Sequence, residues 1–407
     1  MIKNIIIICD YAYIEGGASK VAIQTALALS RQTNLKIFFL SGYGEICDDL
    51  KNSNVIVKNL NMYDLLGNPN KLKAAINGIY NKKAERELRK LLLTLNIEET
   101  VVHIHTWTKV LSSSIFKVCN DLGVKTFLTL HDYFLVCPNG VCYNYVKRKA
   151  CDIKPMSIKC MICNCDSRNY IQKLWRYARQ FVQNTIIYKF KNLNYIFISE
   201  FQVKQIEKRY SFIKNKFLIK NIIDLGEKFK VDCENNNYFL FLGRVCKEKG
   251  INLFCEAVRK ANVSGIVIGD GPLLDNLKKQ YAEIKFVGWQ EKEQISVWLK
   301  KTRAFVFPSI CYEGSPLSIP EVQAHGIPCL VTDGNAGTDN IIPNINGLIV
   351  EANVYEIEKG IEQLKNSNFI KKLSTYTFEN FDFTVGSEDK YVKSLLELYG
   401  KKNVNKI

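Results

Sequence analysis

Short apolar runs alternate with amphipathic stretches along most of the chain. In the first half, runs rich in β-branched residues predict strands at Ile5–Cys9, Lys36–Leu40, Val55–Lys58, Val101–His105, Thr126–His131, Ile196–Ser199 and Phe217–Lys220. Helical periodicity predicts helices at Ala18–Ser30, Lys82–Leu95 and Ser112–Leu122. Apolar strands separated by helices are typical of a parallel sheet that is covered on both faces. The pattern therefore predicts a doubly wound α/β domain over residues 1–228.

The alternation begins again after a polar, unpatterned stretch at residues 227–237. It predicts strands at Tyr238–Leu242, Ser264–Ile268, Ile284–Val287, Ala304–Phe307, Cys329–Thr332 and Gly347–Val350. Helical stretches lie at Ile251–Ala261, Leu274–Tyr281 and Ile319–His325, with a further apolar run at Ile295–Leu299. We expect a second α/β domain over residues 236–385, then a terminal segment, 386–407, whose helix near Glu388–Tyr399 packs back on the first domain. Ligands of such sheets bind at the carboxyl ends of the strands, so two facing domains would form a cleft between them.

Composition places the chain among globular proteins. It has 407 residues, of which 47% are hydrophobic and 24% charged, which excludes a disordered or collagen-like chain. No apolar run approaches the ~18 residues that a membrane-spanning helix needs. The apolar start is too short for a signal peptide and leads straight into Asp10. We expect a cytoplasmic protein.

The charge balance points to an anionic partner. Lys and Arg number 56 against 40 Asp and Glu, a net charge of +16. Such an excess favours nucleic acid, an acidic membrane surface or a phosphorylated substrate. No recognised nucleic-acid module accompanies the charge, so we expect no nucleic-acid partner.

Several nucleotide-binding motifs are absent from the sequence. It contains no G-x-x-x-x-G-K-[ST] and no G-x-G-x-x-G after a strand, which argues against kinase-like and nicotinamide-dependent enzymes. It contains no Asp-x-Asp, which argues against Mg²⁺ held on a diphosphate by paired carboxylates. If the substrate is a diphosphate, cationic side chains must neutralise it.

Suitable cations follow the strand Tyr238–Leu242. Arg244 and Lys249 lie in the loop Gly243–Gly250, between that strand and the next helix. Arginine can grip two phosphate oxygens, and lysine adds a point charge. Taken alone, such a loop is more often an ordinary solvated one.

A second candidate segment runs from Phe307 to Glu321. Glu313 and Glu321 flank Gly314-Ser315-Pro316, and we expect a helix to begin near Pro316, because proline suits a first helical turn. Free N–H groups at a helix start can bind an anion. One carboxylate could then reach a sugar and the other the nucleoside of a bound donor. Taken alone, such a pair is usually a capped helix with two surface glutamates.

Together the two segments, with Gly269-Asp-Gly-Pro272, Phe286-Val-Gly-Trp289 and Gly347, resemble the retaining glycosyltransferases of family 4. The resemblance implies the GT-B architecture of two Rossmann-like domains and catalysis that needs no metal or other cofactor. It implies that Glu313 contacts the donor sugar catalytically and that Glu321 binds the ribose. The other implied donor-binding residues are Arg244 and Lys249 at the diphosphate, Gly314, Ser315, Pro316 and Leu317 in the loop, and Gly288 and Trp289 near the base.

The first domain carries weaker signals of the same kind. Gly16 and Gly17 follow the first strand and resemble the family's glycine-rich loop, where backbone approaches phosphate or acceptor closely. His131 resembles its cleft histidine near the reacting sugar, and Asp132 could orient that ring or face the acceptor. His103 and His105 share one face of a strand, and we interpret them as packing residues or a cleft wall.

Fourteen cysteines in a cytosolic chain should mostly be reduced. Six of them cluster within residues 137–165. Cys160-Met-Ile-Cys163 is a C-x-x-C, and Cys142 and Cys151 could complete four thiolates around a structural zinc or iron–sulfur centre. Free thiols are an equally good interpretation, and a redox pair is a weaker one.

Between Ser167 and Ser199 the chain has basic and aromatic residues and no acidic one. This composition favours contact with an anionic membrane surface, although an ordinary helix with a solvated basic face would look the same. The family resemblance, taken with this charge, implies as acceptor a lipid-linked oligosaccharide of a bacterial surface polysaccharide, O-antigen or capsule, at the inner face of the cytoplasmic membrane. The alternatives are a nucleotide-sugar epimerase or phosphorylase on the same fold, and a non-catalytic scaffold.

Overall fold

A computed structural model describes residues 1–210 and 213–400, which divide into two compact units. The first unit contains residues 1–141, residues 152–222 and the terminal segment that begins at 386. The second contains residues 223–385 together with residues 142–151. The chain therefore changes units just before the polar stretch at 227–237, and a short piece of the cysteine-rich insert belongs with the second unit. None of the described helices is long and apolar enough to cross a membrane.

The first unit is built on a seven-stranded parallel sheet of order β3-β2-β1-β4-β5-β8-β9. The strands in this half of the chain are β1 Asn4–Tyr11, β2 Lys36–Tyr43, β3 Ile56–Asn59, β4 Thr100–Ile104, β5 Lys125–Thr129, β6 Tyr143–Asn144, β7 Lys149–Ala150, β8 Leu193–Phe197 and β9 Asn215–Leu218. Strands β6 and β7 form a separate antiparallel pair. Every position of β1 and β4 is buried, as expected for central strands covered on both faces. The strand order reverses between β1 and β4, which is where doubly wound sheets bind ligands.

Helices in this half begin where polar side chains cap them. The N-cap side chains of Asn70, Asn81, Asn169 and Ser199 each accept a hydrogen bond from the first turn that follows. The helices are α1 Gly17–Gln32, α2 Asp48–Lys51, α3 Lys71–Ile79, α4 Lys82–Leu93, α5 Ser114–Asp121, α6 Ile158–Ile162, α7 Tyr170–Lys189 and α8 Glu200–Glu207.

The second unit has a six-stranded parallel sheet of order β12-β11-β10-β13-β14-β15. Its strands are β10 Tyr238–Leu242, β11 Ser264–Ile268, β12 Lys285–Gly288, β13 Thr302–Phe307, β14 Cys329–Thr332 and β15 Gly347–Val350. Its helices are α9 Ile251–Lys260, α10 Leu274–Gln280, α11 Lys292–Leu299, α12 Ser318–Gln323, α13 Val354–Leu364 and α14 Ser367–Glu379. One apolar core joins the strands to these helices.

The last helix, α15 Glu388–Gly400, packs on the first unit. The Tyr391 hydroxyl lies 3.0 Å from the Thr25 hydroxyl of α1, and both side chains are buried. At the other end of the helix, the Tyr399 hydroxyl lies 2.6 Å from Nδ1 of His103 on β4. The chain thus returns to the first unit through buried hydrogen bonds as well as apolar packing.

The predicted α/β class, with two Rossmann-like sheets, is confirmed, and several boundaries differ. Strand β5 ends at Thr129, so His131 lies in the following loop instead of ending the strand. Helix α12 begins at Ser318, two residues after Pro316. Helices α3, α8, α13 and α14 lie outside the predicted helices, and each follows an Asn or Ser whose side chain accepts a hydrogen bond from the first turn.

Candidate active site

Loops at the carboxyl ends of β10, β11 and β12 are joined by backbone hydrogen bonds. Gly243 N–H donates to Ile268 O at 3.0 Å, and Gly269 N–H donates to Gly288 O at 2.8 Å. A Cβ on Gly269, whose φ is +134°, would lie 2.0 Å from Gly243 O. A larger residue would push these loops apart, so glycine is needed where they approach. The three loops therefore meet through their backbones at this end of the sheet.

Gly250 lies where the loop after β10 closely contacts the end of β13. Its φ is +69°, and a Cβ there would lie 1.8 Å from Pro308 O. The close approach brings Lys249, at the end of one loop, beside Glu313, in the next.

Lys249 and Glu313 form a bidentate ion pair, with both carboxylate oxygens 2.7 Å from Nζ. The Ser309 hydroxyl donates to Oε1 of Glu313 at 2.5 Å. Burial by itself lowers the pKa of Lys249, but the charge and hydrogen bonds of Glu313 outweigh it and raise that pKa. Lys249 therefore stays cationic over the physiological range, beside a carboxylate that is held in place.

The loop that carries Ser309 and Glu313 is rigidly supported from β14. The Thr332 hydroxyl donates to Ser309 O at 2.7 Å, and the fully buried Asn335 amide donates to the same carbonyl at 3.2 Å. Because these partners are buried, the loop has little freedom to move the Glu313 carboxylate. Sequence reasoning missed Ser309 and Asn335, since no local motif distinguishes them.

Arg244 is oriented by a buried carboxylate that the motif does not identify. Glu248 Oε1 accepts from Arg244 Nη2 at 3.1 Å and from the Tyr145 hydroxyl at 3.3 Å. The Glu248 side chain is 11% exposed, whereas that of Arg244 is 66% exposed. The guanidinium is thus anchored on one side and open to a ligand on the other. Tyr145 comes from the turn of the β6–β7 hairpin, which groups with the second unit.

The other predicted donor-binding residues lie on the same edge of this sheet. Gly314 and Pro316 are buried in the loop that continues through Ser315 and Leu317 to α12, and Glu321 is partly exposed on that helix. Gly288 ends β12 with φ +75°, and Trp289 after it is 70% exposed. Because α12 starts at Ser318, the residues expected at its first turn are loop residues, which corrects the expected helix start near Pro316.

In the first unit, the loop after β1 leaves open space at its glycines. A Cβ on Gly16 or Gly17 would meet no atom of the described residues within 4 Å. The Ser19 hydroxyl accepts from the backbone N–H groups of Glu15 and Gly16 at 2.9 and 3.1 Å, which holds the turn before α1. The turn is therefore fixed in shape and accessible above its backbone.

His131 belongs to a chain of stacked histidines at the ends of β4 and β5. Its Nε2 lies 2.9 Å from Nδ1 of His105, and the two rings stack with centroids 5.1 Å apart. The ring of His103 lies beside that of His105. Its Nε2 is 2.7 Å from the Thr129 hydroxyl, and its Nδ1 bonds the Tyr399 hydroxyl. Both His103 and His105 are buried, as expected for packing residues, and His105 also contacts His131.

Burial sets the protonation of this group. It lowers the pKa of His131 and of His103 to about 3, and the pKa of His105 well below its ordinary value. Burial raises the pKa of Asp132 to about 7, partly offset by the hydrogen bond that its carboxylate accepts from Phe134 N–H. Near neutral pH the histidines are uncharged, and Asp132 is close to its titration point.

Asp10 is a buried carboxylate at the end of β1 that the sequence reasoning did not single out as functional. Its oxygens accept backbone hydrogen bonds from Lys109, Val110 and Leu111 at 2.9–3.0 Å. Three such bonds on a residue that is 1% exposed indicate a structural role, fixing the loop after β4. An acidic residue directly after an apolar strand was the available signal.

The predicted thiolate centre finds no support in the geometry. Among residues 1–210 and 213–400, no group of three or more His, Cys, Asp or Glu side chains is placed to hold a metal ion. Cys142 and Cys151 belong to the second unit, whereas Cys160 and Cys163 belong to the first. A structural zinc or iron–sulfur centre remains a prediction for metal analysis to test.

The basic and aromatic segment at 167–199 forms α7, but its basic side chains mostly face inward. Lys173 is 1% exposed, and the 7% exposed Arg179 donates to the carbonyls of Thr108 and Pro138. Arg176 pairs with Asp166 at 3.1 Å. The expectation of a basic helical face is therefore wrong for these three residues.

Comparison with known proteins gives the second unit a clear relationship. Residues 227–379 match the family model described as glycosyl transferases group 1. A UDP-Gal:alpha-D-GlcNAc-diphosphoundecaprenol alpha-1,3-galactosyltransferase of Escherichia coli is 30% identical over 144 residues, which are 32% of this chain and 36% of that protein. A D-rhamnosyltransferase, WbpZ, of Pseudomonas aeruginosa is 29% identical over 27% of this chain and 30% of its own length. The match thus spans about a third of each of these curated relatives.

Solved structures resemble the chain over nearly its whole length. HepE of Anabaena, in complex with UDP and glucose, covers 98% of this chain and 99% of its own, with a TM-score of 0.66 and 12% identity. Sucrose-phosphate synthase of Thermosynechococcus elongatus covers 98% of both chains, with a TM-score of 0.68 and 16% identity. At these identities the likeness concerns the fold, which is that of GT-B glycosyltransferases.

Proposed function

We propose that this protein is a retaining glycosyltransferase of family 4, which transfers a hexosyl group from a nucleoside diphosphate sugar to a glycan acceptor. The observation that carries the proposal is the rigid pairing of Lys249 with Glu313 beside the anchored Arg244. It lies at the carboxyl edge of a parallel sheet, where such folds bind nucleotides. The match to glycosyl transferases group 1 covers the same residues.

The two cations suit the charge that develops during transfer. When the glycosidic bond to the diphosphate breaks, negative charge accumulates on the leaving group. Arg244 and Lys249 are already oriented and would stabilise that charge without metal. Glu313 would accept hydrogen bonds from donor-sugar hydroxyls, while Glu321 would bind the ribose.

The stereochemical proposal is retention by departure and attack on one face of the sugar. A double displacement would need a carboxylate nucleophile beneath the anomeric carbon, and the resemblance identifies none in this sequence. His131, uncharged near neutral pH, and Asp132 would then position the sugar or handle a proton.

The acceptor proposed is a lipid-linked oligosaccharide of a bacterial surface polysaccharide. One relative supports it: the Escherichia coli protein is named for a diphosphoundecaprenol-linked acceptor. To use a lipid-linked acceptor, the enzyme would act at the inner face of the cytoplasmic membrane.

A thermal-shift and turnover screen with UDP-, GDP- and ADP-sugars tests the donor site. A ligand at about 100 times its dissociation constant adds about 2.7 kcal/mol of stability, which is readily measured. We expect one nucleotide class to stabilise the protein. Binding of none to a folded sample would favour the scaffold alternative, and interconversion of the sugar without transfer would favour an epimerase.

Lys249→Met and Lys365→Met form a matched pair of variants for that screen. Both lysines contact a glutamate, at 2.7 Å in the candidate site and 2.9 Å on the surface of the same unit. We expect Lys249→Met to lower kcat/KM by about 10²-fold or more, as for lost transition-state charge stabilisation, and Lys365→Met to leave it unchanged. Equal effects of the two substitutions would contradict the assignment.

A further inference from the structure

Helix α7 exposes an apolar stripe along its whole length. The exposed positions fall at spacings of three and four residues, which places them on one helical face: Ile171, Leu174, Ala178, Phe181, Thr185 and Tyr188. Ile171, Phe181 and Tyr188 are 77%, 60% and 71% exposed. Monomeric proteins rarely expose apolar side chains in so regular a row without a partner for them.

Neighbouring helices add to this apolar surface. Helix α6 exposes Ile158 and Ile162 at 76% and 62%, and the Tyr170 hydroxyl of α7 donates to Met161 O of α6 at 3.1 Å. Helix α3 packs beside α7 and exposes Leu72 and Ile76. Several short helices of the first unit thus present large apolar side chains to solvent.

The outward direction of the stripe is fixed by polar anchors on the other side of α7. The Trp175 indole N–H donates to Ala75 O of α3 at 3.0 Å, and Arg176 holds the buried Asp166. Lys173 reaches Sγ of Cys160 at 3.5 Å in the interior. Turning the stripe inward would break all three interactions, so it faces outward in the folded unit.

The charges that flank the stripe along the chain are mostly basic. Between Tyr133 and Ser199 the only acidic residues are Asp152 and Asp166, and Asp166 is buried against Arg176. Arg168 lies just before α7, and Lys189 and Lys191 lie at its end; all three are exposed. Exposed cations flanking apolar side chains complement an anionic phospholipid surface, which attracts Lys and Arg to its headgroups.

We propose that the α7 stripe, with α6 and α3 beside it, inserts into the headgroup region of an anionic phospholipid bilayer. Ile171, Leu174, Phe181 and Tyr188 enter the boundary of the acyl chains, while Arg168, Lys189 and Lys191 contact lipid phosphates. The contact is chiefly hydrophobic, because α7 turns three of its cations inward. It deepens the proposed function by naming the surface from which a lipid-linked acceptor would be reached, and its test needs no donor or acceptor.

Vesicle co-sedimentation of the full chain tests the proposal. The vesicles are phosphatidylcholine alone, or equal parts of phosphatidylcholine and phosphatidylglycerol. We expect binding to the anionic vesicles that weakens but persists in high salt, because salt screens the lysines and not the apolar contact. A protein that stays in the supernatant with anionic vesicles, or binding that high salt abolishes, overturns the proposal.

A double variant and a matched control locate the contact. Ile171→Asn with Phe181→Asn should weaken vesicle binding about tenfold or more, because two large apolar side chains no longer leave water. Val297→Asn with Tyr355→Asn alters two side chains of the second unit, 53% and 67% exposed, and should bind as the wild type does. Equal binding by wild type and the α7 variant overturns the proposal.

A depth measurement separates insertion from other occupants of the stripe. Tryptophan introduced by Phe181→Trp should be quenched by vesicles with brominated acyl chains, and tryptophan introduced by Tyr355→Trp should not. A dimer in sedimentation that the α7 double variant dissociates, with no vesicle binding, would assign the stripe to a second copy and overturn the proposal. Nucleotide-sugar binding is measured separately, so failure of the proposed function leaves the vesicle result interpretable.

Discussion

Glu248 shows how a single buried carboxylate can orient an arginine that we propose to bind the donor. It accepts hydrogen bonds from both Arg244 and Tyr145, so the Tyr145 hydroxyl helps to hold the carboxylate that orients the guanidinium. Tyr145→Phe leaves the ring in place and removes one of two hydrogen bonds that hold the carboxylate. We expect the KM for the donor to rise about three- to tenfold and stability to fall by about 0.5–1.5 kcal/mol, with kcat little changed. Steady-state kinetics and denaturant unfolding measure both effects.

Tyr143 provides the matched control for Tyr145. It lies on the same hairpin, its ring contacts that of Tyr145 edge-on at 5.1 Å, and its buried hydroxyl has no hydrogen-bond partner within residues 1–210 and 213–400. Removing that hydroxyl by Tyr143→Phe should be neutral or slightly stabilising. If both phenylalanine variants raise the KM equally, packing of the hairpin, and not the Glu248 hydrogen bond, positions Arg244.

The buried histidines make the free energy of unfolding of the first unit depend on pH. Burial lowers the folded-state pKa of His103 and His131 from 6.5 to about 3, so the unfolded chain binds more protons between these values. The contribution of each neutral histidine to the free energy of unfolding is therefore fully present above about pH 6.5. It decreases as the pH drops toward 3, by up to about 1.4 kcal/mol per pH unit for each histidine. Asp132 acts in the opposite direction, because its raised pKa makes stability fall as the pH rises from about 4 to 7.

A variant isolates the histidine contribution. His103→Asn removes one group with a pKa that is lowered by burial. The slope of the unfolding free energy against pH between 3.5 and 6 should therefore decrease by an amount that corresponds to up to about one bound proton. Urea titrations at several pH values measure the slope. An unchanged slope would mean that His103 is protonated in the folded protein.

At the scale of elements, glycines allow the strand-end loops of the second unit to meet. Gly250→Ala should be strongly destabilising, by about 2 kcal/mol or more, because a Cβ would lie 1.8 Å from Pro308 O at a positive φ. Gly288→Ala is the control: the φ of Gly288 is +75°, but a Cβ there meets no atom within 4 Å in the part of the chain that the structure describes. It should cost only about 1–2 kcal/mol of backbone strain. Comparable losses in thermal unfolding would show that φ alone, and not the close approach, requires Gly250.

Helix α7 shows why composition is a poor guide to the surface of an element. Its basic and aromatic residues indicate a membrane-facing basic helix when they are counted. Once the buried side of the helix is known, the positions of these residues around the helix axis place Lys173 and Arg179 inside and Phe181 outside. Which face is buried depends on carbonyls of distant segments, such as Pro138 O for Arg179, that no local pattern identifies.

At the scale of the whole molecule, the end of the chain completes the first unit. Leu395 of α15 is fully buried, while Glu397 on the same helix is exposed. Leu395→Ala should lower the stability of the first unit by about 2–4 kcal/mol through the cavity that it leaves, and Glu397→Ala should change it by less than about 0.5 kcal/mol. Calorimetry measures both, and nucleotide-sugar binding by the second unit should be unchanged in either variant. A loss of donor binding in Leu395→Ala would mean that the units do not unfold independently.

The sequence by itself determined the features that depend on local periodicity and spacing. These are the two α/β domains, the order of their strands along the chain, and the loops that carry Arg244, Lys249, Glu313 and Glu321. Strand alternation, glycine positions and motif spacing are local properties, so a single sequence carries them.

Only the tertiary structure decided which distant side chains meet. It brought Tyr145 to Glu248, and it linked His131 through His105 to His103, whose ring lies beside the Tyr399 hydroxyl. It also packed α6 against α7, beside the apolar stripe. It also assigned the four cysteines that spacing suggests as one metal site to two different units of the chain. Such contacts depend on the packing of the whole chain, where burial and hydrogen-bond geometry select partners that sequence separation does not reveal.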